Sequence, residues 1–258
     1  MAREHDLGAR TYLEVDRTVS RDRAVALLPI GSTEPHGPHL PLEADTIISV
    51  EAARRAAILL STRDLEPMVL PALSYAITEF ARDFRGGLSL SRGTALALIC
   101  EICHAALAQG FRLICLVNSH LEPEHLKVLR EASQTVTAAA GKPVVFPDVT
   151  ERRWALTLTD EFRSGACHAG QYETSLVIAA TPDLVREEIR AGLPPVPISL
   201  SQAIKKGASS FKEAGGTGAY FGAPAAATRA EGESTYDALA AMVESAVLEA
   251  LGALGDLK

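Results

Sequence analysis

Short apolar segments alternate with longer segments of helical periodicity along most of this 258-residue chain. This alternation is typical of βα units built on a mainly parallel sheet, and it predicts an α/β protein. Residues 192–227 are rich in proline and glycine and are predicted to form loops. The predicted strands are residues 23–30, 67–73, 112–117 and 143–146. The predicted helices are residues 46–61, with Asp45 as the N-cap, and residues 93–109, 122–140, 172–180 and 234–254.

Composition and charge limit the kinds of partner that the chain is expected to bind. It is 47% hydrophobic and 22% charged, which is ordinary for a globular protein, and no segment has the composition of a long linker. We therefore expect one domain over residues 1–258. The formal net charge of −7 argues against nucleic acid or an anionic membrane surface as the main partner. Residues 1–23 lack a signal-peptide core, and no apolar run approaches the roughly 20 residues of a membrane span, so a cytoplasmic protein is expected.

Four cysteines are present, at positions 100, 103, 115 and 167. In a chain of this size without an export signal, reduced thiols are expected rather than a disulfide framework. Cys100, Cys103 and His104 have the spacing of a covalent haem attachment site. They lie in an apolar segment of predicted helix, which favours the interpretation that the thiols are small buried side chains.

A first group of candidate metal ligands follows the first predicted strand. Glu34 and His36 are two residues apart in a loop rich in proline and glycine, so in extended backbone they project to the same side. Asp45 heads the next predicted helix, where its carboxylate could bridge two ions. Open α/β sheets bind ligands at the carboxyl ends of their strands. The alternative is a solvated turn in which Asp45 is only a helix cap.

A second group of candidate ligands follows the third predicted strand, where His120 and Glu122 form another His-x-Glu pair. If the two strand ends are neighbours, the chain offers five imidazole and carboxylate ligands of the types that zinc and manganese accept. Five ligands with one shared carboxylate suit two ions about 3.5 Å apart, with a bridging hydroxide available near neutral pH. Glu124 and His125 are predicted to be surface residues.

A third group lies just before the predicted helix 172–180, where His168 stands in a turn of small residues and Glu173 follows five positions later. A neutral imidazole at this place could take or give a proton at a leaving group. The alternative is a histidine that only caps the helix.

Four segments that carry these residues resemble the creatininase (creatinine amidohydrolase) family. Residues 29–42, PIGSTEPHGPHLPL, together with Asp45, resemble the N-terminal signature of that family. Residues 84–90, FRGGLSL, are similar to its Phe-Pro-Gly-Thr loop, and residues 168–175, HAGQYETS, to its catalytic loop. Residues 220–224 through Glu231 and Gly232 resemble its C-terminal Gly-x-Pro stretch. The resemblance runs in order from about residue 25 to residue 235.

The resemblance implies a three-layer α/β/α sandwich with a mainly parallel sheet, a binuclear metal centre and a homo-oligomer, often a hexamer. Members hydrolyse C–N bonds in cyclic amides, formamides or small peptides, and one branch cleaves a C–C bond. By resemblance His168 carries the proton. Glu173 orients the site, or becomes a ligand in branches where the residue matching Glu122 is not acidic. The implied ligands are Glu34, Asp45 and His120 for one ion, and His36, Asp45 and Glu122 for the other.

Departures from the family pattern bear on the substrate. Creatinine-hydrolysing members carry a tryptophan four residues before the catalytic histidine, where this chain has Ser164, and Arg85 and Gly87 replace usual residues of the Phe-Pro-Gly-Thr loop. These differences predict a substrate other than creatinine. Thr78, Leu121 and Arg82 are candidate substrate-binding residues, with Arg82 or Arg85 suited to a carboxylate or phosphate. The alternative for Thr78 and Arg82 is that they are exposed polar residues of a loop.

The resulting prediction is a metal-dependent amidohydrolase that cleaves a C–N bond of a small cyclic amide, a formamide or a related small-molecule amide. Two divalent ions supply the hydroxide; they are expected to be zinc or manganese, with iron as a further option. His168 protonates the departing nitrogen, and Glu173 fixes the imidazole tautomer. Two alternatives stay open. The same site could hydrolyse a C–C bond of a cyclic ketone, or the protein could bind metal without catalysis.

Overall fold

The computed structural model describes residues 4–253, and its centre is a parallel sheet of four strands. The order of the strands is β2-β1-β3-β4, so β1 and β3 lie side by side in the middle. Ile30, the last residue of β1, is in register with Asn118, the last residue of β3. The strands are β1 Ala24–Ile30, β2 Glu66–Val69, β3 Leu113–Asn118 and β4 Val144–Val145. The loops that follow β1 and β3 therefore leave the sheet at the same edge.

Ten α-helices surround or extend this sheet within the described residues. Short 3-10 segments lie at Leu7–Ala9, Pro182–Leu184 and Pro224–Ala226. None of the helices in residues 4–253 has the length and hydropathy of a membrane span. The helices are α1 Tyr12–Val19, α2 Ala44–Ser61, α3 Arg92–Ala108, α4 Pro123–Ala140, α5 Arg152–Ala155, α6 Asp160–Ser164, α7 Gln171–Ala180, α8 Glu187–Ala191, α9 Leu200–Lys205 and α10 Arg229–Ala253.

Both faces of the sheet are covered, which explains why β1 and β3 are apolar along nearly their whole length. Val25 and Leu27 of β1 pack in one core with α2, α7 and α10. Ala26 and Leu28 point the other way and pack in a second core with α3 and α4. A parallel strand that is buried on both faces has no polar alternation, so a continuous apolar run is what the packing requires. The predicted α/β/α sandwich is confirmed.

Most boundaries of the central elements agree with the sequence prediction, and the differences have local causes. The turn in which Ala44 N–H donates to the carbonyl of Pro41 (3.2 Å) starts α2 one residue before Asp45. The N-cap is therefore Glu43, and the prediction of Asp45 as the N-cap is wrong. β2 ends at Val69 rather than at residue 73, although Leu73 still forms an isolated bridge with Ile30. The predicted helix 234–254 begins earlier, at Arg229, and residue 254 lies outside the described residues.

Candidate metal centre

The loop after β1 folds back so closely on α2 that its first residue must be glycine. A Cβ added at Gly31 would lie 2.4 Å from the backbone nitrogen of Thr46. Gly31 N–H donates to the carbonyl of Leu73 (2.9 Å), and the Ser32 hydroxyl donates to Asp45 Oδ2 (2.8 Å). The first turn of α2 is thereby held against the loop that carries Glu34 and His36.

Two groups of buried side chains meet at Asp45. In the first group, His120 Nδ1 lies 3.1 Å from Asp45 Oδ2 and 3.2 Å from Glu34 Oε1. In the second group, His36 Nε2 lies 3.2 Å from Asp45 Oδ1 and 3.6 Å from Glu173 Oε2. Each of these sets, Glu34–Asp45–His120 and His36–Asp45–Glu173, brings three ligand atoms close enough to hold a metal ion. The two oxygens of Asp45 belong to different sets, which is the geometry of a bridging carboxylate.

Backbone carbonyls fix the orientation of both histidines. His120 Nε2 lies 2.7 Å from the carbonyl of Ile77, and His36 Nδ1 lies 3.1 Å from the carbonyl of Glu34. Because a carbonyl only accepts, each of these nitrogens donates a proton. In the neutral imidazole, the opposite nitrogen then presents a lone pair to the carboxylate cluster, as metal-binding histidines do. The donor set is imidazole and carboxylate without thiolate, so it fits zinc or manganese.

The charges of the cluster are strongly coupled. Burial favours neutral forms of Glu34, but the charges and hydrogen bond of His120 and the charge of His168 outweigh it and lower the Glu34 pKa to about 2. Burial also opposes charge on His36, but Asp45, Glu173 and Glu34 raise its pKa to about 10. The pKa of Glu173 is raised to about 8 because its burial outweighs the attraction of His36. These groups hold protons that a bound cation would displace, because metal ligation requires neutral imidazole and ionised carboxylate.

His168 forms a third possible ligand group with Glu34 and His36, and it is held on two sides. Its Nε2 donates to the carbonyl of Pro35 (3.0 Å), and its Nδ1 lies 3.9 Å from Glu34 Oε1. Its ring stacks on Phe211, with 4.1 Å between the ring centroids. Burial, together with the charge of His36, lowers the pKa of His168 to about 4, so the ring is neutral at neutral pH. Nδ1 thus faces the centre as a proton acceptor.

Residues 9–247 match the family described as Creatininase: Creatinine amidohydrolase. The chain belongs to the creatininase family. A mycofactocin precursor peptide peptidase from Mycobacterium tuberculosis (strain ATCC 25618 / H37Rv) is 32% identical over 228 residues, which is 86% of this chain and 82% of that protein. A creatinine amidohydrolase from Pseudomonas putida is 26% identical over 204 residues, 72% of this chain and 75% of that protein.

Solved structures of creatininases share the fold. One named Creatininase Mn has a TM-score of 0.76 at 23% identity and covers 95% of this chain and 98% of its own. A variant creatininase named as its Zn-Zn type has a TM-score of 0.73 at 22% identity, with coverage of 96% and 98%. This creatininase-family chain is accordingly a hydrolase with the α/β architecture of those enzymes, and its described residues include candidate metal-binding groups.

Glu122 lies next to the candidate metal centre but outside the ligand groups formed by the described residues. Its carboxylate accepts hydrogen bonds from the backbone amides of Glu79 (3.1 Å) and Phe80 (3.2 Å). Glu173, which was expected to orient the site or to replace an absent Glu122, instead faces His36. The second ligand set in this structure therefore contains Glu173 where the sequence prediction placed Glu122. The reason is that the two amides hold the Glu122 carboxylate.

Glu173 also differs from its predicted role beside His168. It was expected to fix the imidazole tautomer, but its Oε2 accepts a hydrogen bond from the backbone amide of Ala169 (2.6 Å). The hydrogen-bond partner of His168 is instead the carbonyl of Pro35. Backbone carbonyls such as those of Pro35 and Ile77 leave no residue-type signal, so sequence patterns could not have identified them. Phe211, which stacks on His168, lies in the region predicted to be loop and was also missed.

A cavity of about 540 Å³ opens onto the two groups. Its lining includes Glu34, His120, Leu121 and His168, so Leu121 is placed where a substrate-binding residue is expected. Apolar side chains supply much of the remaining wall, among them Phe80, Leu126, Phe162, Leu200 and Phe211. The candidate centre is therefore accessible from an open cavity whose volume lies within the roughly 300–1,000 Å³ typical of pockets for small ligands.

Two predicted substrate-binding residues lie elsewhere. Among the described residues that line the cavity, neither Thr78 nor Arg82 is included. The hydroxyl of Thr78 is buried behind the site and donates to Glu34 Oε2. Arg82 Nη2 donates to the hydroxyl of Ser209 (2.8 Å) and to Glu213 Oε1 (3.3 Å). Both side chains are engaged outside the cavity in this structure, and their assignment to substrate binding stays a prediction.

His125 was predicted to be a surface residue, but its side chain is only 1% exposed. Its Nε2 donates to Asn118 Oδ1 (3.2 Å), and the amide nitrogen of Asn118 donates to the carbonyl of His120 (2.7 Å). The prediction is wrong for His125 and correct for Glu124, which is exposed. His125 thus supports the backbone that carries His120.

Proposed function

We propose that this protein hydrolyses an amide C–N bond of a peptide substrate at a centre of two divalent metal ions. The observation that carries the proposal is the division of the Asp45 carboxylate between two ligand sets, one with Glu34 and His120 and the other with His36 and Glu173. Bound divalent ions would supply a hydroxide nucleophile and polarise the scissile carbonyl. The metal is zinc or manganese, the ions named for creatininases of the same fold.

The chain's own residues perform the proton transfer in this proposal. His168 Nδ1 faces Glu34 at the edge of the centre, while the carbonyl of Pro35 holds the Nε2 proton in place. A ring that is neutral at neutral pH takes a proton from the nucleophile and then delivers it to the departing nitrogen. Assistance of this kind is typically worth about 10²–10⁴ in rate. Stacking on Phe211 keeps the ring plane fixed during both transfers.

A peptide is favoured as the substrate by two observations. The relative from Mycobacterium tuberculosis that is 32% identical is named as a peptide peptidase. The cavity of about 540 Å³ has apolar walls in which side chains of a peptide can be buried. Hydrolysis of a small cyclic amide is the second candidate, supported by the 26% identical creatinine amidohydrolase. C–C hydrolysis and metal binding without catalysis are the further outcomes that substrate screening separates.

The first experiment measures metal content per chain by elemental analysis, followed by digestion of a library of blocked short peptides read by mass spectrometry. We expect about two ions per chain and cleavage by the wild-type protein. The variant His168→Ala is expected to keep its metal and to lose at least about 10²-fold in kcat/KM. His120→Ala is expected to lose both metal and turnover.

His104→Ala is the matched control, because His104 is exposed on α3, away from the residues that line the cavity. It should behave as wild type. Normal turnover by His168→Ala would remove that residue from the mechanism. Failure to bind zinc or manganese would refute the proposed metal centre, and cleavage of cyclic amides alone would favour the second candidate.

A further inference from the structure

Beyond the metal centre, every charged residue that lines the cavity is basic. The acidic residues of the lining are Glu34, Asp45, Glu122 and Glu173, all within or beside the ligand groups. The basic residues of the lining are Lys127, Arg130, Arg163 and Lys205, which we call the basic rim. Three of these side chains also form ion pairs with acidic residues: Lys127 with Glu124 (2.5 Å), Arg130 with Asp148, and Arg163 with Asp160. An anionic ligand in the cavity would meet Lys205 and the remaining N–H donors of the paired side chains.

The basic rim is assembled from three helices. Lys127 and Arg130 are three residues apart in α4, a spacing that places side chains on the same face. Arg163 belongs to α6, and Lys205 is the last residue of α9. Lys205 is exposed and forms no ion pair with any residue in the range 4–253. Basic side chains from three separate helices therefore line one cavity. The spacing of charged residues along a single helix would not bring them together.

Arg130 is held in place by a buried acidic residue. The carboxylate of Asp148 is 1% exposed and accepts a hydrogen bond from Arg130 Nη2. Its other oxygen is fixed by Thr150, which donates through its amide (2.9 Å) and its hydroxyl (2.6 Å). A guanidinium has five N–H donors, so one carboxylate does not saturate it. The Arg130 side chain remains 46% exposed and is pre-oriented to bind a second anion.

We propose that the basic rim binds a carboxylate of the peptide substrate, and that Arg130 is the main residue that selects it. The proposal deepens the proposed function and rests on it. The apolar walls formed by Phe80, Leu200 and Phe211 accept a neighbouring apolar side chain. The substrate class is thus a peptide with an apolar residue close to a carboxylate, which comes from either the chain terminus or an acidic side chain.

The test measures equilibrium binding of three peptides to metal-loaded protein by calorimetry. The peptides are N-acetyl-Leu-Phe with a free carboxylate, its C-terminal amide, and the C-terminal amide of N-acetyl-Leu-Glu. We expect the free acid to bind roughly tenfold more tightly than its amide, as for a charge-assisted hydrogen bond, and the difference to shrink at high salt. Comparison with the glutamate peptide identifies the source of the carboxylate.

Variants assign this preference to the basic rim. Arg130→Gln should abolish most of the difference between acid and amide. Because that variant leaves the buried Asp148 without its cation, Lys205→Gln provides a second test in a residue without such a partner, and it should reduce the difference in part. Arg21→Gln is the matched control, since Arg21 pairs with Glu66 (2.6 Å) at the start of β2, on the opposite edge of the sheet.

The outcomes separate this inference from the proposed function. Equal binding of acid and amide, no binding of either, or a preference that survives in both Arg130→Gln and Lys205→Gln would overturn the basic rim as an anion site. The last result would instead indicate that the carboxylate binds the metal ions. Arg130-dependent binding without cleavage of any peptide would keep the anion site and refute the peptidase function. Cleavage of peptides without a preference for the free acid would support the peptidase function and refute the anion site.

Discussion

Asp45 connects the two candidate ligand groups, because Oδ1 faces His36 and Oδ2 faces His120. We expect Asp45→Asn to lose both ions, since neither group retains three anionic or imidazole ligands. Glu173→Gln should lose only the ion held with His36, so its metal content is expected to fall from about two to about one per chain. Elemental analysis after dialysis distinguishes the two variants. Two tightly bound ions in Asp45→Asn would show that the carboxylate does not bridge.

His125 provides a pH-dependent prediction at the same scale. Burial, together with the charge of His120, lowers the pKa of His125 from 6.5 to about 3. As pH falls below 6.5, the unfolded chain binds a proton that the folded chain does not accept until about pH 3. The lowered pKa therefore removes stability as pH falls through this window, by at most about 1.4 kcal/mol per pH unit.

The variant His125→Gln retains a donor for Asn118 and removes the titrating group. Its free energy of unfolding should fall less steeply than that of wild type, by about 1 kcal/mol between pH 6 and pH 5. Urea unfolding of chelator-treated protein at both pH values measures the difference. His104→Gln, in an exposed position, should follow the wild-type slope. Identical slopes in wild type and His125→Gln would show that His125 is not a buried neutral group.

Sequence patterns could place the candidate ligands near one another, but the structure divides them between the two groups differently from the prediction. Glu34, His36 and Asp45 follow one strand, and His120 follows its neighbour, so their meeting depends only on the order of the sheet. Whether Glu122 or Glu173 faces His36 depends on where two backbone amides lie, and backbone amides look the same in every sequence. The surface prediction for His125 failed for a related reason, since its partner is an amide side chain seven residues away.

At the scale of elements, α7 carries Glu173 and is held by α10. The two helices approach so closely that a Cβ on Gly232 of α10 would lie 2.0 Å from the carbonyl oxygen of Ser175. Gly232→Ala should therefore force the helices apart and destabilise the protein by roughly 1–3 kcal/mol, as overpacking does, although alanine favours a helix.

Gly252 is the matched control, because it lies in the same helix and, within residues 4–253, an added Cβ there would have no atom within 4 Å apart from its chain neighbours and the backbone of its own helix. Gly252→Ala should increase stability by a few tenths to about 1 kcal/mol. Denaturant unfolding of both variants tests the pair. If the two substitutions had equal effects, the close contact between α7 and α10 would not be a determinant of stability.

The long elements were predictable, and the short ones were not. Helices α2, α3 and α4 each have 17 or 18 residues, and α4 adds clear periodicity and a local stop signal, Gly141 with a φ of +65°. By contrast, α6 has five residues and α9 has six, too few for a periodic pattern. These short helices carry Arg163 and Lys205 of the basic rim. The part of the site that we propose to recognise substrate was therefore less predictable than the part that we propose to bind metal.

At the scale of the whole molecule, Glu34, Asp45 and Glu173 bring three carboxyl groups together in the interior of the protein. The order of the sheet places the loop after β1 beside the loop after β3, and α7 completes the cluster. These carboxyl groups raise the pKa values of His36 and His120, so the folded chain holds protons that bound metal ions would displace. Metal ions that bind only the folded chain should therefore stabilise it in proportion to the logarithm of their concentration.

Chelation should then lower the melting temperature of the wild-type protein. At a free metal concentration of about 100 times Kd, one site contributes about 2.7 kcal/mol. For a chain of this length, about 1 kcal/mol changes the melting temperature by roughly 2–4 °C, so the expected decrease is roughly 5–10 °C for each ion removed. Thermal unfolding with and without chelator measures it, and Asp45→Asn, which is expected to lack the ions, should not respond. A wild-type melting temperature that is unchanged by chelator would mean that no bound ion contributes to stability, and the proposed metal centre would be refuted.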